Sequence, residues 1–218
     1  ENYLGVTVIW GIDDLETNSG NIYEELQPGK VKYDKKFDPS SEAAQKLVLD
    51  VCNRAKDFDK DMQIVDDESD DATVKCYQED FEKWLREIHP NERIPVTGFR
   101  YFEYLREFVN SGENFNRYNE VIGFVDNKLS FVSVSFNTTQ DASESYQTGY
   151  KHRDAWWDYI DDLNSKAPKG MKSARAVCGE WSWWNVQELL FQQALIGMVI
   201  SLAVAFLCVT AFTLNIIA

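Results

Sequence analysis

The 218-residue sequence predicts an α+β protein: a ferredoxin-like (split βαβ) domain with a helical insertion, followed by one transmembrane helix. Two observations carry this prediction. Strand and helix patterns follow one another in the order strand, helix, hairpin, helix, strand, and residues 194–218 contain no charged residue. We therefore divide the chain into a domain at residues 1–180, an interfacial segment at 181–193 and a transmembrane helix at 194–218.

A strand and a helix open the domain. Residues 3–10 are rich in β-branched side chains and end before Gly11, which predicts a strand buried on at least one face. After a loop, Asp38 and Pro39 supply an N-cap and a first-turn proline for an amphipathic helix. The apolar residues at helical spacing are Ala43, Ala44, Leu47, Val48, Val51, Cys52 and Ala55.

An insertion separates this helix from the rest of the domain. Residues 57–71 hold eight acidic residues and one Lys, so charge repulsion argues against a packed element there. Two short helical patterns follow, at 76–89 and 99–110, with prolines between them. We assign residues 57–116 to the insertion.

The remaining elements complete the domain. Residues 118–125 and 129–136 predict a hairpin around Asp126-Asn127-Lys128, because apolar and polar side chains alternate in the second strand. A long helix from Asp141 to about Lys166 and a strand at 173–178 follow. Without the insertion the order is β-α-β-β-α-β, which places two helices on one face of a four-stranded antiparallel sheet.

The uncharged run at residues 194–218 is longer than the roughly 20 residues that cross a hydrocarbon core as a helix. An aromatic cluster precedes it, and aromatic side chains of this kind lie at the headgroup level. The residues predicted at this interface are Trp181, Trp183 and Trp184.

Small residues recur every fourth position in the predicted membrane helix, at Gly197, Ser201 and Ala205. Such a stripe lets a neighbouring helix approach closely. Chance would produce the same spacing about as often.

The composition of the chain argues against several classes of function. With 22 Lys and Arg against 36 Asp and Glu, the net charge of −14 argues against binding to nucleic acid or anionic lipid. The sequence has no G-x-S-x-G elbow, phosphate-binding glycine loop or C-x-x-C pair, so it indicates neither an enzyme nor a cofactor. We expect His89 and His152 to be solvated or structural rather than metal ligands.

The acidic stretch resembles a calcium loop only in part. Asp57, Asp59, Asp61 and Glu68 occupy template positions, but Met62 stands where the sharp turn requires Gly. We therefore favour a solvated acidic loop over a metal site.

Cysteines and a sequon indicate the compartment. Cys52 and Cys76 bracket the acidic loop; a disulfide between them is favoured over two reduced thiols. Asn137-Thr138-Thr139 is an N-glycosylation sequon. Together these features favour an extracellular or lumenal domain.

The chain begins at Glu1 without Met and ends at Ala218 while still apolar. We expect it to be a piece of a longer polytopic protein.

Several short motifs resemble the second extracellular domain of the Dispatched family of resistance-nodulation-division (RND) transporters. They lie at residues 5–11, 37–45 leading to Cys52, Cys76 followed by 81–84, 129–136 and 197–205. The similarity covers nearly the whole chain.

This resemblance implies a parent protein with a further ectodomain and a sterol-sensing bundle, related to Patched and to Niemann-Pick type sterol transporters. It implies export of a cholesterol-modified protein across the plasma membrane, driven by a cation gradient. The implied partners are membrane lipid or sterol, the lipid-modified protein, and the remaining helices and first ectodomain of the transporter. It also implies that Cys52 and Cys76 form a disulfide.

Our preferred hypothesis is therefore a Dispatched-like transporter segment whose tryptophans, at 156–157 and 181–184, are candidates for lining a lipid path. The alternative is a single-pass, membrane-anchored binding or assembly subunit with a glycosylated acidic ectodomain. A membrane-bound hydrolase is a third possibility, with no motif to support it.

Overall fold

A computed structural model describes residues 3–16, 30–54, 62, 64, 74–112, 114–141 and 143–217. Its strands are β1 (Tyr3–Trp10), β2 (Ile12–Glu16), β3 (Lys30–Tyr33), β4 (Val74–Lys75), β5 (Ile122–Val125), β6 (Lys128–Asp141) and β7 (Arg175–Val177). Its helices are α1 (Glu42–Arg54), α2 (Tyr77–Ile88), α3 (Phe99–Asn110), α4 (Asn114–Tyr118), α5 (Tyr146–Lys166) and α6 (Gly179–Ile217).

The main sheet has five antiparallel strands and is built around β1 and β6. Strand β1 lies between β6 and β7, and its Val8 is in register with Val134 of β6 and Ala176 of β7. On the far side of β6 lie β5 and β4. The chain is thus a mixed α/β protein with antiparallel sheets and one long apolar helix.

One face of the sheet carries the core. Strand residues alternate between faces, and the side chains on this face are buried: Leu4, Val6, Val8 and Trp10 in β1 and Val132, Val134, Phe136 and Thr138 in β6. On the opposite face, Leu129 and Ser133 of β6 are buried as well. Helix α5 packs on this face, with the ring of Trp156 5.4 Å from that of Phe136. Helix α1 is its neighbour, because the Arg54 guanidinium lies 4.7 Å from the ring of Tyr159.

The predicted hairpin is present with a tighter turn. Asp126 and Asn127 both have positive φ (50° and 61°), the conformation of a two-residue hairpin turn, so Lys128 already belongs to β6. The strand predicted from residue 118 begins only at Ile122, because 114–118 form α4.

Strand β6 ends later and helix α5 begins later than the sequence predicted. The strand runs through Asp141, since Thr138 and Gln140 continue its buried alternation, and α5 begins at Tyr146. The Asp141 carboxylate accepts a hydrogen bond from the Ser143 backbone N–H, which lowers the pKa of that carboxyl.

Helix α1 starts later than the predicted cap. The Asp38 carboxylate accepts hydrogen bonds from the N–H and hydroxyl of Ser40, which forms a turn before the helix. Ser41, directly before Glu42, accepts the Ala44 N–H on its side chain and is the N-cap.

The two helices predicted in the insertion are confirmed as α2 and α3. They join through aromatic contacts: the Phe81 ring lies 5.6 Å from Tyr101 and 5.5 Å from Phe108. Because β4 pairs with β6, the insertion also contributes a strand to the main sheet.

Strands β2 and β3 form a separate hairpin where a loop was expected. Residues in this ribbon, such as Asp13, Val31 and Lys32, are exposed, so the apolar alternation that signals a half-buried strand is missing. Gly11 makes the bend from β1 into β2 with φ 95°, and a Cβ there would lie 2.3 Å from the Ser130 carbonyl oxygen.

Candidate functional site at the membrane junction

Helix α6 is continuous for 39 residues, from the end of the sheet to Ile217. By length and composition, Gly179–Thr213 can cross a membrane, and the side chains of its apolar part are exposed. The N-terminal domain and the predicted membrane helix therefore share one continuous helix. The contact between α5 and the first turns of α6 is the place where the two parts of the protein meet.

At this junction, the ring of Trp184 in α6 packs against Gly149 in α5. Trp184 is fully buried, and a Cβ on Gly149 of α5 would come within 2.5 Å of its ring. One turn earlier, Trp181 is 7% exposed and its ring makes an edge contact with Trp157 at 6.3 Å. Only glycine at position 149 lets the two helices approach this closely.

Polar side chains join α5 to the next turn of α6. The Tyr150 hydroxyl donates a hydrogen bond to the Glu188 carboxylate (2.6 Å) and lies 3.0 Å from the side-chain oxygen of Asn185. Burial, followed by the Glu188 carboxylate, raises the pKa of Tyr150, so this hydroxyl remains a donor at neutral pH. The Arg153 guanidinium lies over the rings of Tyr150 and Trp157, at 4.1 and 4.2 Å.

The predicted interfacial tryptophans differ in burial. Trp181 and Trp184 are buried in the hydrophobic core, because the first turns of α6 pack on α5. At 1.5 Å per residue, Trp184 lies about 15 Å before Ala194 along the helix axis. Trp183 is 48% exposed. A membrane-interface role for these three residues stays a prediction.

The tryptophans proposed to line a lipid path divide in the same way. Trp156 is fully buried against the sheet, so it serves core packing. Trp157 and Trp183 are each 48% exposed and remain candidates for contact with a ligand or lipid.

Sequence reasoning assigned no role to two tyrosines of α5. Tyr146 and Tyr150, four residues apart on α5, contact each other at 5.8 Å between ring centroids, and Tyr146 lies 6.4 Å from Phe191 of α6. Phe191 lies only about 5 Å before Ala194 along the helix axis. The spacing of the tyrosines on one helical face was the available signal, but the partner helix could not be read from it.

The small-residue stripe lies on the exposed surface of α6. Gly197 has no atom within 4 Å of a Cβ built on it, and the Ser201 hydroxyl donates to the Gly197 carbonyl oxygen at 2.8 Å. Ala205 follows one turn later on the same side and is exposed. A helix-packing role for these three residues stays a prediction.

Cys52 and Cys76 are joined by a disulfide in the structure. The bond joins the end of α1 to the residue directly before α2, so the acidic segment lies within the loop that the disulfide closes. Cys178 and Cys208 are free thiols, and burial raises the pKa of Cys178.

Two further predictions concern a calcium site and an N-linked glycan. The calcium-loop candidates Asp57, Asp59, Asp61 and Glu68 lie outside the described residues. Within the described part of the chain, no group of three or more His, Cys, Asp or Glu side chains is placed to hold a metal ion. Asn137 lies in β6, and its glycosylation stays a prediction.

The two histidines differ in burial. His152 is 3% exposed; its Nε2 accepts the Trp156 indole N–H (3.2 Å) and lies 3.0 Å from the Met62 carbonyl oxygen. Burial lowers the pKa of His152, an effect that the Met62 carbonyl partly offsets. His89 is partly exposed beside Glu107, at 3.4 Å.

An aromatic groove of about 390 Å³ lies between α3 and the β5–β6 turn. Its apolar lining residues are Phe37, Phe99, Phe102 and Leu129, and its polar ones are Glu103, Arg106, Asn127 and Lys128. The lining is thus mixed, with Phe99 74% exposed.

Comparison with known proteins gives one consistent result. No model of a protein family matches the chain. The chain is 25% identical over 236 aligned residues to human "Protein dispatched homolog 1" and 26% identical to the mouse protein of that name. Each alignment covers 100% of this chain and 15% of the relative. The motif resemblance is thereby confirmed: over its whole length, this chain is similar to a segment of the Dispatched proteins.

Proposed function

We propose that the chain is the second ectodomain and following transmembrane helix of a Dispatched-like RND transporter that moves a sterol or lipid-modified ligand. The observation that carries this proposal is the alignment of the whole chain with Dispatched homolog 1. On this view the ectodomain faces the cell exterior or a lumen, and the parent protein resides in the plasma membrane. The first ectodomain and the other membrane helices are its partners.

The strand order supports a ferredoxin-like porter domain. Setting aside the hairpin β2–β3 and the short β4, the four strands β1, β5, β6 and β7 correspond to the strands of a split βαβ unit. The first and third of them pair at the centre, with the fourth beside the first and the second beside the third. Helices α1 and α5 occupy the positions of the two crossovers.

The junction supports a conformational mechanism. Because Trp184 and Glu188 of α6 are held by Gly149 and Tyr150 of α5, a tilt or shift of α6 carries α5 and the sheet with it. Residues 194–218 hold no charged side chain, so cations that drive such a motion would cross through other helices of the transporter. In this mechanism α6 transmits movement, and the ectodomain opens or closes a path for the lipid.

Photo-crosslinking tests the proposed ligand class. A photoactivatable sterol is added to membranes that contain the native protein, irradiated, and mapped by mass spectrometry of proteolytic peptides. We expect labelled peptides from this ectodomain, and excess unmodified sterol should compete for the label. Absence of competable label would contradict transport of a sterol or sterol-modified ligand and favour the alternative, a binding or assembly subunit.

A further inference from the structure

Lysines are concentrated at one end of the N-terminal domain, although the chain as a whole has a net charge of −14. Residues 30–36 contain four lysines among seven residues, in β3 and in the turn that follows it. Runs of this density are typical of segments that bind heparin or nucleic acid. Two further lysines, Lys169 and Lys172, lie in the loop between α5 and β7. The two segments are far apart in sequence, so only the fold can bring their lysines together.

The two lysine-bearing segments run side by side in opposite directions. The Asp38 backbone N–H donates to the Gly170 carbonyl oxygen at 3.1 Å, and the Ser173 hydroxyl donates to the Asp34 carboxylate at 3.0 Å. Gly170 has a φ of 90°, and a Cβ there would lie 2.9 Å from the backbone of Asp38. Glycine is therefore required for this close approach, which fixes the two segments to each other.

Apolar side chains of both segments point into the domain, and lysines point out of it. Phe37 is 8% exposed and Met171 is fully buried, so each segment is anchored in the core. The exposed residues beside these anchors are Lys35, Lys36, Lys169 and Lys172, which we call the lysine patch. Four cationic side chains thus share one surface on a fixed backbone.

The carboxylates near the lysine patch already have partners. Asp34 and Asp38 accept hydrogen bonds within these loops, and Asp13 forms an ion pair with Lys32 of β3 at 3.6 Å. Within the described residues, none of the four lysines of the patch forms an ion pair. Their ammonium groups are therefore available to an anionic partner.

The lysine patch lies at the end of the domain that faces away from the predicted membrane helix. Helix α6 runs antiparallel to α5, because Trp181 contacts Trp157 whereas the later Phe191 contacts Tyr146 at the start of α5. The patch follows the opposite end of α5, whose 21 residues span about 30 Å at 1.5 Å per residue. Lipid headgroups of the membrane that α6 is predicted to cross are therefore out of reach of these lysines.

We propose that the lysine patch binds a sulfated polysaccharide of the glycosaminoglycan class outside the cell. Such a polymer presents closely spaced sulfate groups, which attract ammonium groups as point charges and release counterions when they are bound. A protein partner fits less well, because the centres of protein interfaces are depleted of lysine. The inference rests on the proposed function for one point, the extracellular orientation of the domain.

Binding is measured with the full protein in detergent and immobilised heparin, at an ionic strength of about 0.15 M. We expect the wild type to be retained and to elute as salt is raised. The double variants Lys35→Gln/Lys36→Gln and Lys169→Gln/Lys172→Gln should each weaken binding by about tenfold or more. The matched control Lys83→Gln/Lys151→Gln removes the same charge from exposed positions on α2 and α5 and should bind like the wild type.

The two double variants test whether the fold assembles the site. A loss confined to Lys35→Gln/Lys36→Gln would reduce the site to the local run of lysines in residues 30–36. An equal loss in all three double variants would reduce it to net charge. Either result, or a wild type that heparin does not retain, would overturn the inference.

Immobilised poly-glutamate separates the two classes of partner. It carries carboxylates without sulfate groups, so we expect it to retain the wild type more weakly than heparin does. Retention as strong as that on heparin would favour an acidic protein partner and would overturn the assignment to a sulfated polysaccharide.

Intact cells test the orientation separately. Cells that make no glycosaminoglycan of their own and express the full protein should bind labelled heparin, and cells that express Lys169→Gln/Lys172→Gln should bind less. Retention in detergent without this difference on cells would contradict the extracellular orientation in the proposed function and, with it, a polysaccharide partner. Failure in detergent would overturn the inference alone and leave the proposed function standing.

Discussion

The two parts of helix α6 differ in composition and in environment. In residues 179–188, Trp181 and Trp184 are buried against α5, whereas from residue 189 onward large apolar side chains such as Leu190 and Phe206 are 62% and 72% exposed. The partner helix α5 accounts for the difference in environment: it packs along the first part and, within the described residues, reaches as far as Phe191 through the contact with Tyr146.

The largest expected effect comes from the adjacent tryptophans. Trp184→Ala removes a fully buried ring and should lower the free energy of unfolding of the N-terminal domain by about 3–5 kcal/mol. Trp183→Ala, at a half-exposed position, is the matched control and should change stability by no more than about 0.5 kcal/mol. Denaturant unfolding of the detergent-solubilised protein, followed by near-UV circular dichroism, measures both. Equal losses would contradict the division of α6 at its packed turns.

A pair of glycines provides the next comparison. Gly149→Ala forces a methyl group against the Trp184 ring and should destabilise the N-terminal domain by about 1–3 kcal/mol. Gly197→Ala, where the new Cβ meets no atom within 4 Å, should leave the same unfolding curve unchanged. If Gly149→Ala were as stable as the wild type, the close approach of α5 and α6 would be refuted.

The buried histidine of α5, His152, should make the stability of the domain depend on pH. Because burial lowers the pKa of His152 in the folded state, the unfolded chain binds a proton more readily. Stability is then fully present above the ordinary histidine pKa of about 6.5 and is lost as pH falls below it, by at most about 1.4 kcal/mol per pH unit. Unfolding curves at pH 7.5 and pH 5.5 should show this loss for the wild type and a smaller loss for His152→Gln. An identical pH dependence in both proteins would remove His152 from the account.

The smallest effect concerns the hydrogen bond that closes the junction. Tyr150→Phe keeps the ring but removes the donor to Glu188, so we expect a loss of about 1 kcal/mol. Because the ring contact with Tyr146 survives this change, the substitution isolates the hydroxyl. Glu188→Gln, which keeps an acceptor oxygen, serves as the comparison and should lose less. A wild-type unfolding midpoint for Tyr150→Phe would show that packing alone holds the two helices together.

Much of the fold could be predicted because its signals are local. Strand β1, the β5–β6 hairpin and helices α2 and α3 each carry their own periodicity, and the uncharged run of α6 needs no tertiary information. The hairpin β2–β3 escaped prediction because it is exposed on both faces and lacks apolar alternation. Strand β4 is only two residues long and exists through its pairing with β6.

The junction could not be predicted for a different reason. Trp181 and Trp184 have the composition of a membrane-interface cluster, and only the contact with α5, an element that precedes them in the chain, makes them core residues. The signal for that contact was a single glycine, Gly149, within an aromatic helix. The disulfide differs from the junction in this respect, because Cys52 and Cys76 flank one segment and their pairing could be inferred from the sequence.

The most direct test of the central claim is the intact mass and terminal sequence of the native protein after glycan removal, measured by mass spectrometry. A mass several-fold above 25.2 kDa, with peptides that continue before Glu1 and after Ala218, is the result we predict for a segment of a polytopic transporter. A mass near 25.2 kDa would contradict the account and identify a single-pass subunit instead.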